Sequence, residues 1–127
     1  MAETTILLID DDDDDREIFR IALKQANEEA VLVTSRGGRE ALEVLSKGAL
    51  QPDYIFLDIN MPVMTGKDCL REIRKLDQLK NVPIFMYTTS THVSDREVYL
   101  SMGAREILNK PLRITDLANM LKGLLEK

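Results

Sequence analysis

The stretch Ile6-Leu7-Leu8-Ile9-Asp10-Asp11 decides the fold. An unbroken apolar run is what a strand covered on both faces looks like, whereas a strand wetted on one side alternates apolar with polar residues. The abrupt change to carboxylates at Asp10 then marks the strand's end. The same pattern recurs further along. Tyr54–Leu57 reads YIFL and runs into Asp58, and Ile84–Tyr87 reads IFMY and runs into Thr88-Thr89. Ala30–Thr34 and the short Ile107–Leu108 complete five strand candidates, the last resting mainly on the rhythm of the others.

Helical spacing fills the intervals. Ile18, Ile21, Ala22 and Leu23 form an apolar stripe that leaves Arg16, Arg20 and Lys24 outside it. Gly37-Gly38 opens a second helix through Ala41, Leu42 and Leu45, stopped by Gly48 and Pro52. Cys69, Leu70, Ile73 and Leu76 recur at helical spacing after Gly66, and Ser94 to Glu97 has the spacing of a capping box. The last helix carries Leu117, Met120, Leu121, Leu124 and Leu125. Residues 1–127 therefore read as a single (βα)5 domain, a three-layer α/β sandwich with right-handed crossovers around a doubly wound parallel sheet. In such folds the functional crevice lies beyond the carboxyl ends of the strands.

Those ends collect an unusual set. Strand 1 gives Asp10-Asp11, strand 3 gives Asp58, strand 4 gives Thr88-Thr89 and strand 5 gives Asn109-Lys110-Pro111. Crowded carboxylates repel one another unless a cation or a lysine offsets them. Mg²⁺ suits that need, because it prefers oxygen ligands and keeps several waters. The expectation is a metal held by Asp11 and Asp58, with water linking it to Asp10. Lys110 would balance an incoming phosphoryl group and Thr88 would donate a hydrogen bond to it. A carboxylate nucleophile, a metal and fixed donors are what phosphoryl transfer requires.

The six-aspartate run Asp10–Asp15 has two readings. Asp10 and Asp11 follow the buried apolar run directly and are assigned to the site, while a frame one residue later would bring in Asp12 instead. Asp12 to Asp15 are assigned to the start of the first helix, where free N–H groups and the dipole favour carboxylates. An EF-hand loop starting at Asp10 would need Gly at its sixth position and Glu at its twelfth; the chain has Asp15 and Ile21 there.

Bulk composition narrows the classes further. The net charge is −5, and apart from the aspartate run the two signs nearly balance, so one point is anionic on a neutral background. Such a point attracts metal cations and repels nucleic-acid backbone, so no direct nucleic-acid partner is expected. No stretch approaches the roughly 20 apolar residues of a membrane helix. One cysteine, Cys69, and one histidine, His92, leave no disulfide and no structural zinc site; both are read as structural or incidental, in a cytoplasmic setting.

Taken together, ILLIDD (Ile6–Asp11), YIFLDINMP (Tyr54–Pro62) with Gly66, FMYT (Phe85–Thr88) and GAREILNKP (Gly103–Pro111) make the chain resemble the receiver domains of bacterial two-component response regulators over essentially its whole length. The resemblance implies a flavodoxin-like sheet of strand order 2-1-3-4-5, an order for which a member of this family is a standard example. It implies that Asp58 is the phospho-acceptor, Asp10 and Asp11 the acidic pair, and Asn60 a metal ligand through its backbone carbonyl, with Mn²⁺ able to replace Mg²⁺. Thr88 and Lys110 match the switch hydroxyl and the conserved-type lysine, and Pro111 stands where a cis peptide bond is usual.

Two positions depart from the family pattern. Ile107 stands where many receivers have a strand 5 aromatic that rotates on activation. Thr89 replaces a small residue and is expected to modulate access to Asp58. The implied donor is a sensor histidine kinase or a histidine phosphotransfer protein. For a stand-alone receiver the implied output is a contact with an unidentified protein, and a homodimer through the helix 4–strand 5–helix 5 face is a further expectation. The chain is not expected to be an enzyme beyond catalysing its own phosphorylation and slow hydrolysis.

Rival classes fit less well. A haloacid-dehalogenase-type phosphohydrolase would need an acid two residues after Asp58, where Asn60 stands. A flavodoxin would need a hydroxyl- and glycine-rich loop after strand 1, where six aspartates would repel the phosphate. A degenerate receiver with constitutive binding would not need the key residues intact.

Overall fold

The apolar runs become the strands of one parallel sheet in a computed structural model that describes residues 3–89 and 95–125. The strands are β1 (Thr5–Ile9), β2 (Val31–Ser35), β3 (Tyr54–Asp58), β4 (Ile84–Thr88) and β5 (Glu106–Asn109), in the order β2-β1-β3-β4-β5. Between and after them lie α1 (Asp13–Ala26), α2 (Gly38–Ser46), α3 (Gly66–Ile73), α4 (Arg96–Ser101) and α5 (Ile114–Leu125). Both the expected architecture and the expected strand order are found.

Strand alternation builds two cores. Leu7, Ile9, Ile55, Leu57, Ile84 and Met86 point to one face and pack with Ala41, Leu45, Leu70, Ile73 and Tyr99 of α2, α3 and α4. Ile6, Leu8, Phe56, Phe85 and Tyr87 point to the other, against Phe19, Ala22, Leu23, Leu117 and Leu121 of α1 and α5. Since successive strand side chains alternate in direction, a strand apolar at every position needs helices on both sides. On the second face Phe19 meets Phe56 edge-on at 5.1 Å, and Phe56 stacks with Phe85 at 5.3 Å. Burying rings of this size supplies much of the driving force.

Three local readings are corrected, and one contact is added. The buried stripe of α1 is Phe19, Ala22 and Leu23, while Ile18 is largely exposed. Arg16 is not outside: it folds inward and donates to the Asp10 carbonyl at 2.8 Å. The Lys110–Pro111 bond is not cis, as no cis peptide bond occurs among the described residues. An X–Pro bond favours trans by about 0.5–1 kcal/mol, and Lys110 reaches the acidic cluster with the trans form, so nothing here opposes that preference. Finally, Asp95 at the start of α4 spends its carboxylate on Lys67 of α3, 2.9 Å away, and makes no side-chain cap of its own helix. The capping box itself falls on Ser94, which lies outside the described residues, as does His92.

Candidate metal and phosphoryl site

The parallel register sets strand ends side by side. Ile9 pairs with Leu57, so the next residues, Asp10 and Asp58, emerge together, and Asp58 in turn pairs with Tyr87 of β4. Carboxylate oxygens of Asp10, Asp11 and Asp58 all lie within 4.8 Å of one another. Asp10 is fully buried and Asp58 nearly so, whereas Asp11 is exposed.

Asp10 and Asp58 are held by backbone. The Asp10 N–H donates to the Ser35 carbonyl of β2, and its Oδ1 accepts the Asp12 N–H, both at 3.0 Å. Asp12 is the N-cap of α1, accepting from the Asp15 N–H at 2.9 Å. Asp12 thus serves the start of the helix, and the acids that cluster are Asp10, Asp11 and Asp58. Around Asp58, the Asn60 N–H points at Oδ1 from 3.4 Å, and the loop after β3 turns back so that the Gly66 N–H donates to the Ile59 carbonyl. Only glycine fits at that return, because a Cβ on Gly66 would stand 2.4 Å from the Asp58 carbonyl oxygen.

Lys110 arrives from the end of β5. Its N–H donates to the Thr88 carbonyl at 2.7 Å, which couples the ends of β4 and β5. Its ammonium sits 2.8 Å from Asp10 Oδ2, 2.8 Å from Asp15 Oδ2 and 3.7 Å from Asp58 Oδ2, 5.3 Å from the centroid of the Tyr87 ring. Thr88 is buried beside it and Thr89 is exposed. Ile107, half-buried, packs on the α2–α3–α4 side. Sequence reasoning missed two of these features. Asp15 is drawn into the ion-pair network as well as standing in the first turn of α1, and Tyr87 floors the lysine. Helical geometry held the clue to the first: Asp15 falls one turn after Asp11–Asp12, so it stays near the strand end.

The electrostatics follow from burial. Burial pushes the Asp58 carboxyl up to about 7; Lys110 opposes the rise, and the Asp10 and Asp11 charges add to it. For Lys110, burial works against the charge, but the hydrogen bonds to Asp10 and Asp15 outweigh it and hold the ammonium above its usual range. Burial lifts the Cys69 thiol up to about 12, so that side chain is packing and no nucleophile. Three hard oxygen donors at one point fit a divalent cation such as Mg²⁺ or Mn²⁺, and they suit no soft metal.

A doubly wound parallel sheet with three acids and a lysine gathered at the carboxyl ends of its strands has its site where such folds place one. Residues 6–122 match the response regulator receiver domain, and the chain belongs to that family of two-component signalling proteins. The aerobic respiration control sensor protein ArcB of Escherichia coli (strain K12) is 35% identical over 85 residues, 67% of this chain but 11% of that sensor. This chain thus spans about a tenth of that relative's length. Among solved structures, the phosphorylated cyanobacterial phytochrome response regulator RcpA aligns with a TM-score of 0.87 and 28% identity, covering 98% of this chain and 93% of that one. The Mn²⁺-bound form of response regulator Rcp1 aligns at 0.82 and 28%, covering 95% and 91%. No helix among the described residues is long and apolar enough to cross a membrane.

Proposed function

We propose that residues 1–127 act as one phospho-accepting receiver, with Asp58 as the acceptor and a phosphohistidine on a sensor kinase or phosphotransfer protein as the donor. The observation that carries this is the convergence of Asp10, Asp11, Asp58 and Lys110 at the carboxyl edge of the sheet. An oxygen of Asp58 attacks phosphorus in line. The phosphorus–nitrogen bond breaks, imidazole leaves with the electron pair and takes up a proton, and an acyl phosphate forms on Asp58.

A divalent cation, Mg²⁺ with Mn²⁺ as its substitute, would be held by Asp11, Asp58 and the Asn60 carbonyl, with Asp10 through water, and when bound supplies positive charge against the phosphoryl oxygens. Lys110 places its ammonium against another of those oxygens, and the Thr88 hydroxyl donates to a third. Drawing these two groups toward the acyl phosphate shifts the loop after β4 and the α4–β5–α5 face between two populations. That face is the output surface, toward a protein partner or a second copy. The same residues make the chain catalyse its own phosphorylation and slow hydrolysis, in a cytoplasmic setting. Incubation with Mg²⁺ and phosphoramidate is expected to add one phosphoryl group, seen by intact mass, and Asp58→Asn to abolish it. Label persisting in Asp58→Asn would overturn the assignment.

A further inference from the structure

Lys110 has more carboxylate around it than a phosphoryl-binding lysine needs. Its ammonium bonds Asp10 and Asp15 at 2.8 Å each, and Asp58 stands off at 3.7 Å, beyond direct hydrogen-bond reach. The two bonded partners differ in kind. Asp10 is fully buried, and stripping its partner would leave a buried charge uncompensated, which is costly. The Asp15 side chain is 31% exposed on the first turn of α1, where water can take the place of the lysine. A phosphoryl group on Asp58 offers Lys110 a new anionic partner. Of the two existing bonds, the one to Asp15 is the cheaper to give up.

We infer that Asp15 is a positioning residue that holds the Lys110 ammonium drawn back from Asp58, and that it is the partner Lys110 exchanges for the phosphoryl group. Asp15 thereby sets how strongly the site takes a phosphoryl group without touching one itself. The inference rests on Asp58 as the phospho-acceptor, and its test separates the two claims.

The probe is fluoroberyllate, a stable phosphoryl mimic, titrated in saturating Mg²⁺ and followed by fluorine NMR. Asp15→Asn, with Asp15→Ser as a second variant should the first fold poorly, is expected to lower the half-saturating concentration roughly three- to tenfold. Asp15→Glu keeps an anion within reach of Lys110 and is expected to stay near wild type. Asp14→Asn makes the same charge change one residue away, where no ion pair to Lys110 occurs among the described residues, and is also expected to stay near wild type. Unchanged binding in Asp15→Asn and Asp15→Ser would overturn the inference. So would equal tightening in Asp14→Asn, which would reduce the effect to general charge, or tightening in Asp15→Glu. Failure of the wild type to bind the probe at all would instead overturn the reading of Asp58.

Discussion

Replacing Asp58 by Asn tests the electrostatic account in the protein without metal. The substitution keeps size and shape and retains an oxygen for the Asn60 N–H, but it removes one of three crowded charges. In the folded chain the Asp58 carboxyl is pushed up to about 7 from 3.8, burial being the main cause. The folded protein therefore keeps that proton to higher pH than the unfolded chain does. Between about pH 4 and 7 folding takes up a proton, so stability falls as pH rises through this window and is lowest above it. At 1.4 kcal/mol per tenfold, the full effect at pH 8 is at most about 4 kcal/mol, reduced by solvent screening and by the Lys110 charge beside it. For a domain of this size that corresponds to roughly 10–20 °C in melting temperature. Metal-free Asp58→Asn is thus expected to melt well above wild type at pH 8, the gap shrinking to less than half at pH 5. Mg²⁺ should stabilise the wild type at pH 8 by about 2.7 kcal/mol at a hundred times its dissociation constant, raising its melting point, and move the variant far less. Calorimetry in chelator and in Mg²⁺ at the two pH values reads all of this. A variant no more stable than wild type at pH 8, or a gap that ignores pH, would refute the reasoning.

Gly66→Ala would place a methyl group 2.4 Å from the Asp58 carbonyl oxygen and 2.7 Å from the Ile59 Cα. Backbone must move, so a loss of roughly 2–4 kcal/mol is expected in urea titrations, with weaker metal binding because the displaced strand end carries Asp58. Val63, a β-branched residue, is held at φ 68 in the loop after β3 with its side chain exposed. Val63→Gly should relieve that strain and raise stability by about 1 kcal/mol in the same assay, while Val63→Ile should not. Thr89→Ala, at the exposed position following β4, is expected to speed phosphorylation of Asp58 by phosphoramidate and change the phosphate's lifetime. Identical rates in variant and wild type would end the idea that Thr89 controls access.

What was legible in the sequence and what was not divides along one physical line. Strands buried on both faces announce themselves as ILLI, YIFL and IFMY, and their ends place Asp10, Asp11, Asp58 and Thr88 without any knowledge of side-chain contacts, while Lys110 is placed only by the rhythm that predicts a fifth strand. Burial is a property of a local run. Partnership is not. Arg16 looks like a solvent-facing residue of α1 until the loop from Asp10 turns and brings a backbone carbonyl to it. The stripe of α1 was misphased because Ile18 and Phe19 are both apolar, and only the sheet's aromatic cluster chooses between them. Arg74 likewise donates to the carbonyls of Leu79, Val82 and Gly103, partners up to 29 residues away that no pattern in α3 reveals.

The aspartate run makes sense only when helix, lysine and acids are considered as one electrostatic unit. Six adjacent carboxylates would be a liability on an ordinary surface, yet five of the six charges are answered here. Asp12 caps α1, Asp13 pairs with Arg16, and Asp15 and Asp10 share Lys110. The helix dipole favours the remainder of the first turn. Compensation is only partial at Asp58, and no ion pair to Asp11 occurs among the described residues. Lys110 is committed elsewhere and stands 3.7 Å from Asp58, and the Asn60 N–H reaches it only at 3.4 Å. The charge left uncompensated lies where a cation and then a phosphoryl group would be received. On this account the crowding is not a defect offset by binding: a site fully satisfied by its own residues would have no affinity left for either ligand.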